Sequence, residues 1–207
     1  MRSAIHVDMN RSISRLLVTL GSTLSLAACS AAPETSFAED TGDTATEALG
    51  QISRCTHANM ASSSCAAVRA QILNDAPQNR VELLNRGLDW VDRDIMYSQS
   101  KTTNGYRRDC SGFVSMVWGE SQTYSTASYA PYDTSATTQL ASYEDLLPGD
   151  ALNKVPRGHI VLFAGWANNA HTAMYVLEES QTGSPALLAK VSATYFARFR
   201  PIRSNNL

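Results

Sequence analysis

Cys110 and His159 are the two residues whose types and positions could carry out a nucleophilic reaction. A cysteine thiolate attacks a carbonyl carbon, and a histidine can take the thiol proton and later give it to the leaving group. Asp109 is a good N-cap for a helix beginning at Cys110, and the positive potential at a helix N-terminus favours thiolate over thiol. His159 opens the apolar run HIVLFAGW, a strand that could aim its imidazole at that helix. We expect Cys110 to be the nucleophile and His159 its base.

A third polar residue should orient the histidine, and hairpin geometry selects a candidate. If the strand that begins at His159 returns through a two-residue turn at 168–169, Glu178 lies opposite His159 on the same face of the sheet. A loop longer by an odd number of residues, or a bulge, would bring Glu179 into that place instead. His171 lies near the turn in this register. We expect Glu178 to be the third member.

These residues need elements to position them, and the sequence predicts helices first and strands later. A helix is expected from about 63 to 73, and a stronger one after Pro77, where apolar residues recur at spacings of three and four. The polar segments 97–108 and 121–142 are expected to be loops. Strand character, interrupted by turns at Pro, Gly and Asn residues, covers 150–155, 159–166, 173–178 and 187–195. This order predicts an α+β domain with a small antiparallel sheet.

The N-terminus has the form of an export signal. Basic residues precede a short apolar run, 16–28, which is too short to span a bilayer comfortably and leads into the tetrapeptide L-A-A-C. This tetrapeptide resembles the lipobox of bacterial lipoproteins, in which Cys29 would become the acylated first residue of the mature chain. We expect residues 1–28 to be a lipoprotein signal peptide, with an ordinary signal peptide as the alternative and Met1 or Met9 as the start. The mature protein is expected at the cell envelope, held by a lipid anchor, and on the periplasmic side of a membrane in a Gram-negative cell.

Cysteine spacing and composition divide the rest of the chain. Residues 29–50 are rich in Ala, Thr, Glu and Asp and are expected to be a disordered tether. Residues 51–79 form a predicted helical N-terminal extension, in which Cys55 and Cys65 should pair in a disulfide because the protein is exported. The catalytic domain is expected to cover 80–207. Cys110 is then left without a partner, as expected of a reactive thiol.

Composition excludes several classes of function. The formal net charge is −2, and no basic stripe of the kind that binds nucleic acid is present in the sequence. No C-x-x-C or H-x-x-x-H spacing supports a zinc site, so neither a metal nor a cofactor is expected. We expect a monomer.

The chemistry-bearing residues also occur in a recognisable order. The run D-C-S-G-F-V at 109–114, followed by P-G-D at 148–150 and by the strand-opening His159, resembles the NlpC family of papain-like cell-wall cysteine peptidases. The resemblance covers roughly residues 80 to 200. It implies a papain-like α+β fold, with the nucleophile at a helix N-terminus packed on an antiparallel sheet, the histidine on the first strand of a pair and a polar third residue on the next.

The resemblance also implies a role for neighbouring residues. The family has a tyrosine before the cysteine whose hydroxyl borders the oxyanion site; Tyr97 stands near that position, with Tyr106 as the alternative. Asp109 and Ser111 flank the nucleophile and would lie beside the substrate. Many family members have His, Asn or Gln as the third residue, where this chain is expected to use Glu178.

The resemblance implies cleavage of peptide or amide bonds in peptidoglycan stem peptides, commonly between a D-acidic residue and a diamino acid. An anchored protein at the cell envelope would meet that substrate. Two alternatives remain: an acyltransferase or amidase that uses the same residues on a non-wall substrate, and a catalytically idle binding module on the envelope.

Overall fold

The structure is a computed structural model and describes residues 54–156 and 158–207. The predicted signal peptide, the lipidation site Cys29 and the tether at 29–50 lie outside the described residues. No helix within the described ranges is long and apolar enough to cross a membrane.

Four helices are present in the described residues, and three of them match predictions made from the sequence. They are α1 (Ser63–Asp75), α2 (Val81–Asp92), α3 (Cys110–Trp118) and α4 (Ala193–Phe196). The Ser62 side chain caps α1 by accepting a hydrogen bond from the Cys65 backbone N–H at 3.3 Å. A 3-10 turn, Gln78–Arg80, leads from Pro77 into α2, because proline has no N–H and suits the start of a helix. The helices predicted near residue 63 and after Pro77 are therefore confirmed.

The strands build one large antiparallel sheet and a separate hairpin. They are β1 (Arg54–Cys55), β2 (Ser98–Thr103), β3 (Tyr106–Arg108), β4 (Thr137–Gln139), β5 (Ala151–Lys154), β6 (Ile160–Trp166), β7 (Ala173–Glu178), β8 (Leu187–Ser192) and β9 (Phe199–Ser204). The seven-stranded sheet has the order β1-β8-β7-β6-β5-β9-β4, and β2 pairs only with β3. The predicted α+β class is confirmed.

Three local predictions were wrong. The segment 97–108, expected to be a loop, is largely the β2–β3 hairpin, and the segment 121–142, also expected to be a loop, contains β4. The predicted strand at 187–195 ends at Ser192, where the chain turns into α4. Strand β9 was not predicted, although it lies inside the sheet between β5 and β4.

The β6–β7 hairpin also differs from its predicted register. Its loop covers 168–172, three residues more than the predicted turn at 168–169. A bulge in β6 between Phe163 and Gly165 reduces this shift by one residue, so that on the far side of the bulge from the loop Leu162 pairs with Leu177. The net displacement is two residues. Because side chains alternate with a period of two, each residue keeps its predicted side of the sheet.

The sheet separates two apolar clusters. We call the side that carries Ile160, Leu162 and Leu177 the helix face, because these side chains cluster with those of α2 and α3. We call the other side, which carries Val161 and Val176, the outer face; its cluster also contains side chains of α4 and β9. The helix face therefore carries the element that begins at the predicted nucleophile.

The N-terminal extension joins this sheet. Strand β1 pairs with β8, so Arg54 lies opposite Ala189, and the predicted disulfide between Cys55 and Cys65 is present with the two Cα atoms 5.7 Å apart. The disulfide ties β1 to α1, and α1 in turn contacts β6. The described part of the extension thus packs as part of the same fold as the residues that follow it.

Candidate active site

Cys110 is the first residue of α3, as the sequence predicted. Asp109 is the N-cap: its Oδ1 accepts a hydrogen bond from the Gly112 backbone N–H at 2.8 Å. The Cys110 side chain is fully buried on the helix face. The backbone N–H groups and the positive potential of this helix end make the position one where a negative sulfur would be stabilised.

The turn that delivers Cys110 is fixed by a close backbone approach at Gly112. A Cβ atom at this position would lie 2.0 Å from the carbonyl oxygen of Arg107, so only glycine fits. The Arg107 guanidinium forms an ion pair with Asp109 and donates to the Ser111 hydroxyl at 3.1 Å. Ser111 is buried, and its hydroxyl takes part in this hydrogen-bond network. The D-C-S-G run therefore builds and holds the helix start, and Asp109 and Ser111 lie beside Cys110.

The expectation of an unpartnered thiol at Cys110 was wrong for this structure. None of the described cysteines is free, and Cys110 is disulfide-bonded. Cys55 and Cys65 bond to each other, so the sulfur joined to Cys110 does not belong to either of them. Counting cysteines near one another in sequence could not show this bond, because sequence spacing does not fix disulfide connectivity. A nucleophilic thiolate at Cys110 requires reduction.

His159 and Glu178 form a pair, as predicted. The His159 Nε2 and Glu178 Oε2 atoms are 2.7 Å apart, and the two side chains are 15% and 7% exposed. The imidazole ring also lies edge-on to Phe199, a member of the outer-face cluster, at a centroid distance of 6.3 Å. The alternation of β6 assigns His159 to that same outer face, where Val161 lies. Glu178 is thus placed to orient the imidazole.

The alternation of side chains separates this pair from the nucleophile position. Cys110 packs in the helix-face cluster, whereas His159 and Glu178 lie on the outer face. The sequence predicted that the strand would aim His159 at the start of α3. The structure instead places the His159 ring on the outer face, beside Phe199.

Glu179, the alternative third residue, lies on the helix side. It is fully buried, and neither of its carboxylate oxygens has a hydrogen-bond partner among the described residues. Burial raises the pKa of Glu179 to about 9, and the nearby charge of Asp109 adds to this effect, while Arg108 opposes it. The carboxyl group is therefore neutral at neutral pH. The sequence does indicate a buried glutamate here. Two adjacent glutamates end an apolar strand, and since neighbouring side chains point to opposite faces, one of the two must face the core.

Tyr97 lies in the same neighbourhood. Its side chain is 6% exposed, and its hydroxyl accepts a hydrogen bond from the Gln99 side chain at 3.1 Å. Burial raises the pKa of Tyr97, and the negative charges of Asp109 and Glu179 contribute in the same direction. Tyr97 therefore sits close to the N-terminus of α3. Tyr106, the alternative, donates its hydroxyl proton to the Glu120 carbonyl oxygen at 2.6 Å and is committed elsewhere.

The P-G-D run has a structural role. The Asp150 carboxylate is completely buried and is held by Arg80 at 3.1 Å and by Arg203 at 2.6 Å. The Gly149 carbonyl oxygen accepts a hydrogen bond from the Trp118 indole at 2.7 Å. These contacts tie α2, α3 and β9 to the start of β5. The run thereby fixes the position of α3 against the sheet.

His171 lies in the loop between β6 and β7, at the other end of the hairpin from His159. Its ring stacks on Trp166 with a centroid distance of 4.2 Å, and its Nδ1 contacts the Glu144 carboxylate. It is therefore not a member of the site. Among residues 54–156 and 158–207 no group of three or more His, Cys, Asp or Glu residues is arranged to hold a metal ion.

Comparison of the chain with protein-family models gave no match, and comparison with curated proteins gave none either.

Proposed function

We propose that this protein is a papain-like cysteine hydrolase that, with Cys110 reduced, cleaves peptide or amide bonds in peptidoglycan stem peptides at the cell envelope. The observation that carries the proposal is the placement of Cys110 as the first residue of α3 behind its Asp109 cap. A helix N-terminus lowers the pKa of a thiol, and the thiolate is the nucleophilic form. The resemblance of the motif order to the NlpC family supports the choice of substrate.

The proposed reaction is an acyl transfer in two steps. The Cys110 thiolate attacks the carbonyl carbon and forms a C–S bond, and the C–N bond then breaks as protonated His159 gives its proton to the leaving amine. Water next attacks the thioester, His159 takes a proton from it, and the C–S bond breaks to release a carboxylic acid and the thiolate. Backbone N–H groups at the start of α3 would stabilise the oxyanion.

The His159–Glu178 pair supports the assignment of the base. The Glu178 carboxylate lies 2.7 Å from one imidazole nitrogen and orients the ring. The reaction requires the other nitrogen to come within hydrogen-bond reach of the Cys110 sulfur when substrate binds. Catalytic hydrogen bonds of this kind commonly tighten only in the substrate complex.

A second function is favoured by one observation, the disulfide at Cys110. A disulfide-bonded sulfur cannot attack a carbonyl, so a protein that keeps this bond in the envelope would be a catalytically idle binding module. In that case Cys110 contributes only to stability, and the His159–Glu178 pair is a buried polar contact.

Mass spectrometry of peptidoglycan fragments separates the two functions. Purified full-length protein is incubated with wall digests, with and without a thiol reductant, and new stem-peptide termini are counted. We expect cleavage only after reduction and none with Cys110→Ser. His159→Gln should lower kcat by about 10²–10⁴-fold, the usual contribution of a general base. His171→Gln, which changes a surface histidine of the same hairpin, is the matched control and should cleave like the wild type.

The outcomes are distinct. Reduced protein that binds wall fragments without cleaving them, and is unaffected by Cys110→Ser, identifies the binding module. Transfer of an acyl group from a synthetic thioester to an added amine, with no cleavage of wall fragments, identifies an acyltransferase that uses the same residues. Equal cleavage by Cys110→Ser and wild type would refute the nucleophile assignment.

A further inference from the structure

Glu179 is a buried acid that the proposed reaction does not use, and its position gives it a role. We propose that Glu179 is a positioning residue for Cys110: as a neutral carboxylic acid it keeps the start of α3 free of a further negative charge, and its ionisation and that of the Cys110 thiol oppose each other. The inference rests on the proposed function only in assigning a use to the Cys110 thiolate.

The packing of β7 places Glu179 on the side of the sheet that carries α3. A Cβ atom added at Gly87 of α2 would lie 2.9 Å from Leu177 and 3.3 Å from Phe113 of α3, so Leu177 packs between the two helices. Glu179 directly follows β7, two residues after Leu177, and its interactions with Asp109 and Tyr97 place it on the same side. Glu178 points the other way, where His159 holds it.

The surroundings of Glu179 disfavour its anion on balance, although the positive charge of Arg108 opposes this effect. The side chain is fully buried, and neither carboxylate oxygen has a hydrogen-bond partner among the described residues. The charged and titratable groups that face it are Asp109 at the cap of α3, Arg108 of β3, Glu178 on its own strand and Tyr97. Burial and Asp109 together raise the pKa of Glu179 to about 9. The neutral form is therefore favoured at neutral pH.

A neutral acid at this point matters because Asp109, whose charge affects the pKa of Glu179, directly precedes Cys110. The start of α3 carries a positive potential that stabilises one developing anion, and Asp109 already lies there with its charge balanced by Arg107. An ionised Glu179 would compete with the Cys110 thiolate for the same potential. Because coupling between two groups is reciprocal, the thiolate must equally oppose the ionisation of Glu179.

Infrared spectroscopy tests both parts of this inference without measuring hydrolysis. Reduced full-length protein should show a protonated-carboxyl absorption at neutral pH that Glu179→Gln removes. The matched control is Glu82→Gln, which changes a glutamate whose side chain is 69% exposed and should leave the band intact. In reduced wild type the band should disappear at a pH about one unit higher than in Cys110→Ser, which corresponds to a tenfold change in the acid constant. A residue with only a packing role would show no such dependence on Cys110.

Two results would overturn the inference. The first is a neutral-pH spectrum that Glu179→Gln leaves unchanged, which means that Glu179 is ionised. The second is an equal midpoint in wild type and Cys110→Ser, which means that the two groups do not sense each other. If the midpoints differ as expected but no wall fragment is cleaved, the coupling stands and the proposed hydrolase function falls.

Discussion

Glu179→Gln should stabilise the folded protein, and the gain should grow as the pH rises. The pKa of Glu179 is raised from its ordinary value of 4.5 to about 9 in the folded state. Between these two values the unfolded chain gives up its proton while the folded protein keeps it, so the folded state binds more protons and loses stability with increasing pH. Glutamine has nearly the same shape and no proton to lose, and it removes this penalty.

The size of the effect follows from the interval between the two pKa values. Each pH unit above 4.5 costs the wild type about 1.4 kcal/mol until the folded-state pKa is reached. At pH 7 the penalty is therefore about 3.4 kcal/mol, and near pH 9 it is about 6 kcal/mol, where it stops growing. Below pH 4.5 both states are protonated at this residue, and wild type and variant should be equally stable.

Urea unfolding of the two proteins over this pH range measures the difference. The free energy of unfolding of Glu179→Gln minus that of wild type should be near zero at acidic pH and should rise steadily through neutrality. The exposed Glu82→Gln is the control; its surface ion pair with Arg86 is worth about 0.5 kcal/mol or less. A difference that is constant with pH, or a variant less stable than wild type at pH 7, would refute the assignment of a neutral buried acid.

Three further changes test the elements around α3. Asp150→Asn leaves two arginines without their buried partner and should cost about 3–5 kcal/mol in urea unfolding, whereas Asp89→Asn at an exposed pair should cost about 0.5 kcal/mol or less; equal losses would contradict the structure. Gly112→Ala places a methyl group 2.0 Å from a backbone oxygen and should cost about 3 kcal/mol or prevent folding, so a wild-type melting curve would refute the close approach. Replacing Cys55 and Cys65 together by alanine opens a loop closed across 10 residues and should cost about 2–3 kcal/mol under oxidising conditions, with no difference after reduction of both proteins.

The strands next to the site could be predicted because their sequence carries the signal of burial. β6 and β7 are buried along almost their whole length, so they appear as continuous apolar runs with turn residues between them. The β2–β3 hairpin has no such signal: β2 is mostly exposed, and its sequence SQSKTT resembles a loop. Strand β9 contains Pro201 and three polar residues, so it does not look like an inner strand, although its pairing with β5 is continuous.

The prediction that His159 pairs with Glu178 was correct, but only because two departures from the predicted hairpin compensate for each other. The loop was three residues longer than assumed, which by itself would have exchanged the two faces of β7, and the bulge in β6 restored them. What the sequence could not predict was the face itself. In a sheet that is buried on both faces, both faces of each strand carry apolar residues. The sequence of a strand therefore does not show which of its faces packs against α3.

The state of Cys110 could not be predicted either. Disulfide connectivity depends on where distant parts of the chain meet, and four cysteines allow three pairings when all of them are bonded. The prediction of Cys55 with Cys65 was correct because those two are joined by a short local segment. The same reasoning had no means to find a bond to Cys110.

Strand β1 protects the sheet against edge-to-edge association with a second molecule. Within the described residues β1 covers Arg54–Cys55 and pairs with Leu188 and Ala189 of β8, a six-residue strand that would otherwise present these N–H and C=O groups to a second chain. The Cys55–Cys65 disulfide holds this short cover in place. Reduction of the Cys55–Cys65 disulfide would loosen this cover, and self-association through β8 would then compete with any gain in reactive thiol at Cys110.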